Sequence, residues 1–379
     1  MWPFWTQIRT MKKKIAVLPG DGVGPEVMEQ TLKVLDAISE RYDHQFNYVF
    51  ADIGAVAIEN HGQPLPPSTL DKCLEADGIL LGATGNPYFD HRPELDMRPE
   101  QGLLQLRQNL ELHASLRPVV SYPGLYHLSP LKVERLKNID ILIVRELSGG
   151  IYYGPQGKTE AGAYDTCQYN EYQIERVARI AFEQAQQRRK KLTLVDKSNV
   201  LATSKLWRSL VQKMGKSYPD VQLDFQYIDN AAMQIMQWPQ QFDVILTTNL
   251  FGDMLSDEAS VLAGSMGLIP SASYGAQTAL FEPIHGSFPQ ATGEDVANPM
   301  GAILSSSLML DHFGMPKEAK IIRYIVTHLL DKGIGTPDLQ METSFSCSQL
   351  GDMIAYLIAE EEVINLSSFE LHEKVSTII

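Results

Sequence analysis

Short apolar runs alternating with amphipathic stretches begin at Ile15, and no other feature restricts the fold of this chain as tightly. Residues 15–18, 48–51, 79–83, 139–145, 192–195, 223–228 and 244–247 have the length of buried strands. Residues 171–187, 203–214 and 302–313 read as helices. Val27, Thr31, Val34, Leu35 and Ile38 also recur at helical spacing, behind a proline, Pro25, suited to a first helical turn. Such alternation predicts an α/β architecture with much parallel sheet. At about 150 residues per domain, 379 residues predict two domains, and without a Gly/Ser or Pro linker they should be joined by continuous elements. No apolar run approaches the ~18 residues that a membrane-spanning helix needs.

Composition removes several function classes. Lys and Arg number 32 against 46 Asp and Glu, a net charge of −14, which argues against a partner held by its phosphates, whether nucleic acid or anionic membrane. With 44% hydrophobic and 21% charged residues, the chain is neither disordered, collagenous nor a coiled coil. Cys73, Cys167 and Cys347 are odd in number and lack CxxC spacing, which opposes a disulfide framework or zinc site and fits a reduced cytoplasm. Residues 1–10 (MWPFWTQIRT) lack the apolar region of a secretory signal and are expected to form a disordered extension without a functional role.

Four clusters could carry chemistry. In PGDGVGPEV the glycines fall at 20, 22 and 24, not at GxGxxG spacing, and Asp52 lies too far on for a Rossmann acidic residue; a tight turn near a ligand fits better. In RPEQGLLQLR, Glu100, Leu103, Leu104 and Arg107 share one helical face. Alone this is a solvated face, but Arg117 in LRP and Arg145 at the end of an apolar strand make a set able to grip a dicarboxylate. Asp253 and Asp257 in NLFGDMLSDEAS stand one helical turn apart, and Asp229 at another strand end adds a third carboxylate. That repulsion becomes attraction around a hard cation such as Mg²⁺ or Mn²⁺. Tyr152 in GGIYYG and Lys197 in VDKSN also stand out, Lys197 as a candidate general base, although a strand-end lysine is usually just solvated. The stretches 280–287 (LFEPIHGS) and 294–298 (EDVAN) read as loops rather than core.

These motifs, with VDKSNVL and VANP, occur in an order and spacing that closely resemble the β-decarboxylating isocitrate/isopropylmalate dehydrogenase family, from Lys13 to the C-terminus. The resemblance implies a two-domain open α/β sandwich that is not a Rossmann fold. One domain would comprise residues 11–112 with 264–379 and bind the cofactor, while residues 113–263 would carry most of a homodimer interface. It implies a cytoplasmic enzyme of the isopropylmalate-oxidising branch, which serves leucine biosynthesis and converts (2R,3S)-3-isopropylmalate to 4-methyl-2-oxopentanoate with NAD. By position, Arg107, Arg117 and Arg145 would hold the malate carboxylates. Asp253 and Asp257, with Asp229 of the other subunit, would hold Mg²⁺ or Mn²⁺. Tyr152 and the partner subunit's Lys197 would form the acid–base pair, with Asn199 near the nicotinamide. Glu100, Leu103 and Leu104 would recognise the isopropyl group and nicotinamide, and His285, Gly286, Ser287, Gln290 and Asn298 would serve the adenosine.

Gln290 departs from the aspartate that many NAD-dependent members carry; Tyr153 and Asn230 replace the commoner Phe and Ala. Isocitrate, homoisocitrate and tartrate/malate enzymes share the scaffold, but a dileucine disfavours a third substrate carboxylate. A non-catalytic regulatory subunit would lack metal or catalytic residues, whereas Tyr152, Lys197, Asp229, Asp253 and Asp257 are present.

Overall fold

The computed structural model describes residues 10–89 and 97–360. The expected disorder of the N-terminal extension, apart from Thr10, and the end of the expected cofactor domain beyond residue 360 lie outside the described residues.

Ile15, Ala16, Val17 and Leu18 are fully buried within strand β1 (Lys12–Gly20), because this strand is covered on both faces. It pairs in parallel with β2 (Gln45–Phe50) and β3 (Gly78–Ala83). Further along come β4 (Ala114–Val120), β5 (Asp140–Glu146), the exposed hairpin β6 (Gln156–Thr159) and β7 (Gly162–Asp165), then β8 (Lys191–Asp196), β9 (Gln222–Tyr227) and β10 (Val244–Thr247). The series closes with β11 (Pro270–Tyr274) and β12 (Ala279–Pro283). Ten of these form one sheet in the order β2-β1-β3-β12-β11-β4-β5-β10-β8-β9. It contains two parallel blocks, β2-β1-β3-β12 and β5-β10-β8-β9, joined through antiparallel pairing of β12 with β11, β11 with β4, and β4 with β5.

Helices cover both blocks. The helix Glu171–Gln187 opens with a reciprocal cap between Asn170 and Gln173 and turns Ile174, Val177, Ala178, Ala181 and Phe182 inward. Phe182 stacks on Tyr218, with ring centroids 4.5 Å apart. Among the described residues, no helix is long and apolar enough to cross a membrane.

Two expectations fail. Residues 280–283 are not loop: they lie in β12, whose five residues are all buried. The segment resembles a loop because Glu282 and Pro283 interrupt its apolar pattern, yet β12 is sandwiched between β3 and β11, and Glu282 has a cation to pair with. Asp229 does not end a strand either: β9 stops at Tyr227, and Asp229 stands in the first turn of the helix Ile228–Gln237. A carboxylate there is favoured by the free N–H groups of the helix start.

Candidate active site

The site is assembled where β5, β4 and the helix Asn249–Ala263 meet. Arg145, the penultimate residue of β5, lies opposite Thr247 on β10, and the helix begins two residues after Thr247. Gly252 lets this helix lie on the arginine, since a Cβ there would fall 2.7 Å from Arg145 Cγ. The contact places Asp253 against the guanidinium. Arg145 Nη1 and Arg117 Nη1 (3.3 Å) both donate to Asp253 Oδ1, and Tyr152 Oη donates to Oδ2 at 3.1 Å. Asn249 Oδ1 accepts from Arg145 Nε and Nη2 at 3.2 and 2.8 Å, and Ser256 Oγ accepts from Arg117 Nη1 at 2.5 Å. Arg107, facing inward from the helix Glu100–Asn109, donates to Glu282 Oε1 at 2.8 Å.

All three arginines are buried. Burial pushes the Arg145 guanidinium down to about 9, with Arg117 and Arg107 adding repulsion and Asp253 opposing it. Burial likewise lowers Arg117 despite Asp253. For Asp253, burial favours the neutral acid, but Arg145 and Arg117 outweigh it and hold the carboxyl below the usual range. Asp257 goes the other way, raised by desolvation and then by Asp253 one turn away. Tyr152 is raised by desolvation and by Asp253, so it keeps its proton near neutral pH. Three buried cations thus converge on two carboxylates, Asp253 and Glu282, and the Nε atoms of Arg107 and Arg117 have no acceptor. Such a cluster suits a ligand with more than one negative charge.

A cavity of about 140 Å³ adjoins this cluster and is lined by Leu103, Arg107, Arg117, Glu282 and His285, among others. Leu103 and Leu104 are half-buried, while Glu100 is exposed near Ser287, both side chains approaching Gly85. His285 Nδ1 sits 2.9 Å from the Gly286 carbonyl, so Nδ1 carries the proton and the buried Nε2 is an acceptor without a partner. Burial keeps this imidazole neutral. Space around the Gly286 Cα is open. Gln290 is exposed in a 3₁₀ turn, and Asn298 is buried, bonded to the Met300 N–H and Asp338.

The glycine-rich segment of residues 19–26 supports this loop. Gly22, at φ 61°, brings its backbone so close that a Cβ would lie 2.0 Å from the Ser287 carbonyl, which accepts from Val23 N at 2.8 Å. Glu26 accepts from Gly293 N. Asp21, between the glycines, accepts from Ala55, Val56 and Gly85 N–H groups at 2.9, 3.0 and 2.8 Å and so ties three segments together. Removing that carboxylate leaves buried donors unsatisfied: Asp21→Ala should lower stability by on the order of 3 kcal/mol. A thermal midpoint within a degree of the parent would refute this.

Sequence reasoning missed Asp21, Glu282 and Phe288. The first two are single carboxylates whose partners lie far away in the chain. Phe288, a non-glycine residue at φ 40°, presents an exposed ring beside Ser287.

Lys197 and Asp229 stand apart from this cluster and face each other, Lys197 Nζ donating to Asp229 Oδ1 at 2.5 Å, with Asp229 largely exposed. Asn199 is exposed two residues on. Within the described residues, no three His, Cys, Asp or Glu side chains are close enough to share one metal ion. Asp229 therefore does not join Asp253 and Asp257 within one chain.

A family model described as isocitrate/isopropylmalate dehydrogenase matches residues 14–354. A 3-isopropylmalate dehydrogenase of Bacteroides fragilis is 47% identical over 346 residues, covering 91% of this chain and 98% of that protein. One from Thermotoga maritima is 49% identical over 353 residues, covering 92% and 99%. Among solved structures, the isocitrate dehydrogenase from Methylococcus capsulatus superposes with a TM-score of 0.83 at 33% identity, covering 92% of this chain and 99% of that one.

Proposed function

The chain belongs to the isocitrate/isopropylmalate dehydrogenase family, and from that membership we propose that it oxidises and decarboxylates (2R,3S)-3-isopropylmalate to 4-methyl-2-oxopentanoate with reduction of NAD. It is an oxidoreductase of leucine biosynthesis. We assign it to the cytoplasm as a homodimer with shared active sites, residues 113–263 forming most of the interface and residues 11–112 with 264–379 the cofactor domain. The observation that carries the reading is the buried Arg107–Arg117–Arg145 cluster, short of anions, beside a half-buried dileucine.

The residues fit both groups that the family uses. Asp253 and Asp257 offer only oxygen donors, and the repulsion from Asp253 that adds to burial in raising Asp257 is what Mg²⁺ or Mn²⁺ would relieve. Asp229 of the partner subunit would complete the set. The unpartnered His285 Nε2 and the open space at Gly286 fit a nucleotide, with Ser287, Gln290 and Asn298 in the same loop, and Asn199 would lie near the nicotinamide. When bound, the cation supplies charge against the oxygen at C2 and the nicotinamide accepts the hydride. The chain's own residues do the rest. Arg107, Arg117 and Arg145 fix the two malate carboxylates, and Glu100, Leu103 and Leu104 exclude water around the 3-substituent. The partner subunit's Lys197 takes the 2-hydroxyl proton. After loss of the β-carboxylate as CO₂, Tyr152, protonated at neutral pH, donates to C3.

Metal-dependent NADH formation with purified protein tests the proposal. Burying the isopropyl group, worth roughly 2 kcal/mol in all, should favour isopropylmalate over malate by roughly thirtyfold in kcat/KM. Isocitrate should fare worse, because its third carboxylate would be desolvated against Leu103 and Leu104. Equal kcat/KM for isocitrate and isopropylmalate would overturn the assignment.

For the nucleotide, we expect NAD to be preferred over NADP by a reduced margin, since Gln290 is uncharged and no Lys or Arg lies between His285 and Asn298. Asp295 adds little to that margin, because its carboxylate is turned to Ser348 at the start of the helix Cys347–Ala359. Gln290→Asp should widen the preference and Gln290→Lys narrow it, as read from kcat/KM with each nucleotide. An NADP value matching or exceeding that for NAD would refute this expectation.

A further inference from the structure

Across the β4–β11 pair from the active cleft lies a second and larger cavity, of about 530 Å³. Its origin is legible in the strands. The pairing of β11 with β4 runs from Tyr274↔Ala114 to Ala272↔Leu116 and ends there. Continued by two residues, it would set Pro270 opposite Pro118, and neither proline has an N–H to donate. The strands separate where their hydrogen bonding stops, and both prolines line the cavity.

Neighbouring residues on these strands face opposite ways, so the pair is a partition. Arg117 and Ser271 line the active cleft, while Pro118 and Pro270 line the cavity behind it. The helix Asn249–Ala263 also reaches both, with Asp253 in the site and Ala263 on the cavity wall, about 15 Å further along its axis.

The lining defines the ligand chemistry. Leu304 and Leu308 give an apolar wall, and the volume falls in the range of sites for ligands of drug size. Arg323, also in the wall, is buried. Its Nη1 donates to Asp311 at 2.7 Å, but its Nε has no acceptor. The carboxylates in the lining, Asp140 and Asp243, are bound to Arg188 at 2.6 and 3.0 Å. Hydrogen-bond donors are thus in surplus and the free carboxylate oxygens few, which selects an acceptor-rich group over a cation.

We infer that this cavity is a second binding site, for a molecule with a ring-sized apolar body and one acceptor-rich group such as a carboxylate or sulfonate, and that its occupancy slows turnover through the strand pair carrying Arg117. The probe is 1-anilinonaphthalene-8-sulfonate, titrated into the full chain well below its thermal midpoint. Saturable fluorescence enhancement is expected, weakened at least tenfold by Leu308→Trp, which fills the cavity, and by Thr327→Trp, which fills it from a half-buried position. Should Leu308→Trp not fold, Thr327→Trp alone decides. Enhancement within twofold of the parent in the folded variants, or competitive displacement by isopropylmalate or NAD, overturns the site. Saturating probe should also lower kcat at least threefold at saturating substrate. Binding with kcat unchanged overturns the coupling while leaving the dehydrogenase reading intact, and that reading has its own substrate test.

Discussion

Asp253→Asn is expected to lower kcat by roughly a thousandfold, the scale of losing a group that stabilises transition-state charge directly. This carboxylate does three things at once. It neutralises Arg117 and Arg145, accepts a hydrogen bond from Tyr152, and in the proposed reading would with Asp257 supply the oxygen pair for a divalent cation. The amide keeps the shape but loses the charge, so Arg117 and Arg145 remain buried with less compensation, and circular dichroism must first show that the variant folds. Assays over a titration of Mn²⁺ then decide. A variant within tenfold of the parent at any metal concentration would refute the role of Asp253, as would a parent that keeps full activity after exhaustive chelation.

Mixing two inactive variants should restore activity. Lys197 and Asp229 pair with each other away from the Asp253 cluster, an arrangement expected if they serve a neighbouring subunit. In a Lys197→Ala chain the arginine and aspartate half-site is intact; in a Tyr152→Phe/Asp253→Asn chain the Lys197 half is intact. Random reassociation makes half the dimers hybrid with one complete site each, so activity should reach about a quarter of the parent value. Verified subunit exchange without recovery would show that each chain builds its site alone.

Strands buried on both faces were the most legible part of the fold, because an apolar run needs no partner information to be recognised. The runs 79–83 and 244–247 fall on β3 and β10 for this reason. β4, β11 and β12 were illegible because their sequences carry Arg117, Pro118, Ser271, Ser273 and Glu282 through a buried sheet. Two of these polar groups are tolerated through distant partners: Arg117 through Ser256 and Asp253, Glu282 through Arg107. The convergence of Arg117, Arg145 and Tyr152 on Asp253 follows from motif resemblance in the sequence, and its physical reason, a shared carboxylate, is visible only in three dimensions. Apolar residues continue to Ile228, so the sequence puts Asp229 at a strand end, whereas in the structure the helix takes over at Ile228.

The position of β12 in the sheet bears on how the chain is made. Leu80 pairs with Phe281, so β3, which has β1 on one side, acquires its second neighbour only after some two hundred further residues have been added. At 5–20 residues per second, synthesis of that interval takes on the order of 10–40 s. Residues 140–247, by contrast, contain the complete block β5-β10-β8-β9 and need nothing outside themselves to pair. The middle of the chain should therefore reach protease resistance on the ribosome while its beginning still waits. Pulse proteolysis of stalled nascent chains would expose the order, and protection of residues 12–83 before residue 283 has emerged would contradict it. A point of contact order becomes one of quality control: the early segment, with its bare apolar strands, is the part that needs a chaperone.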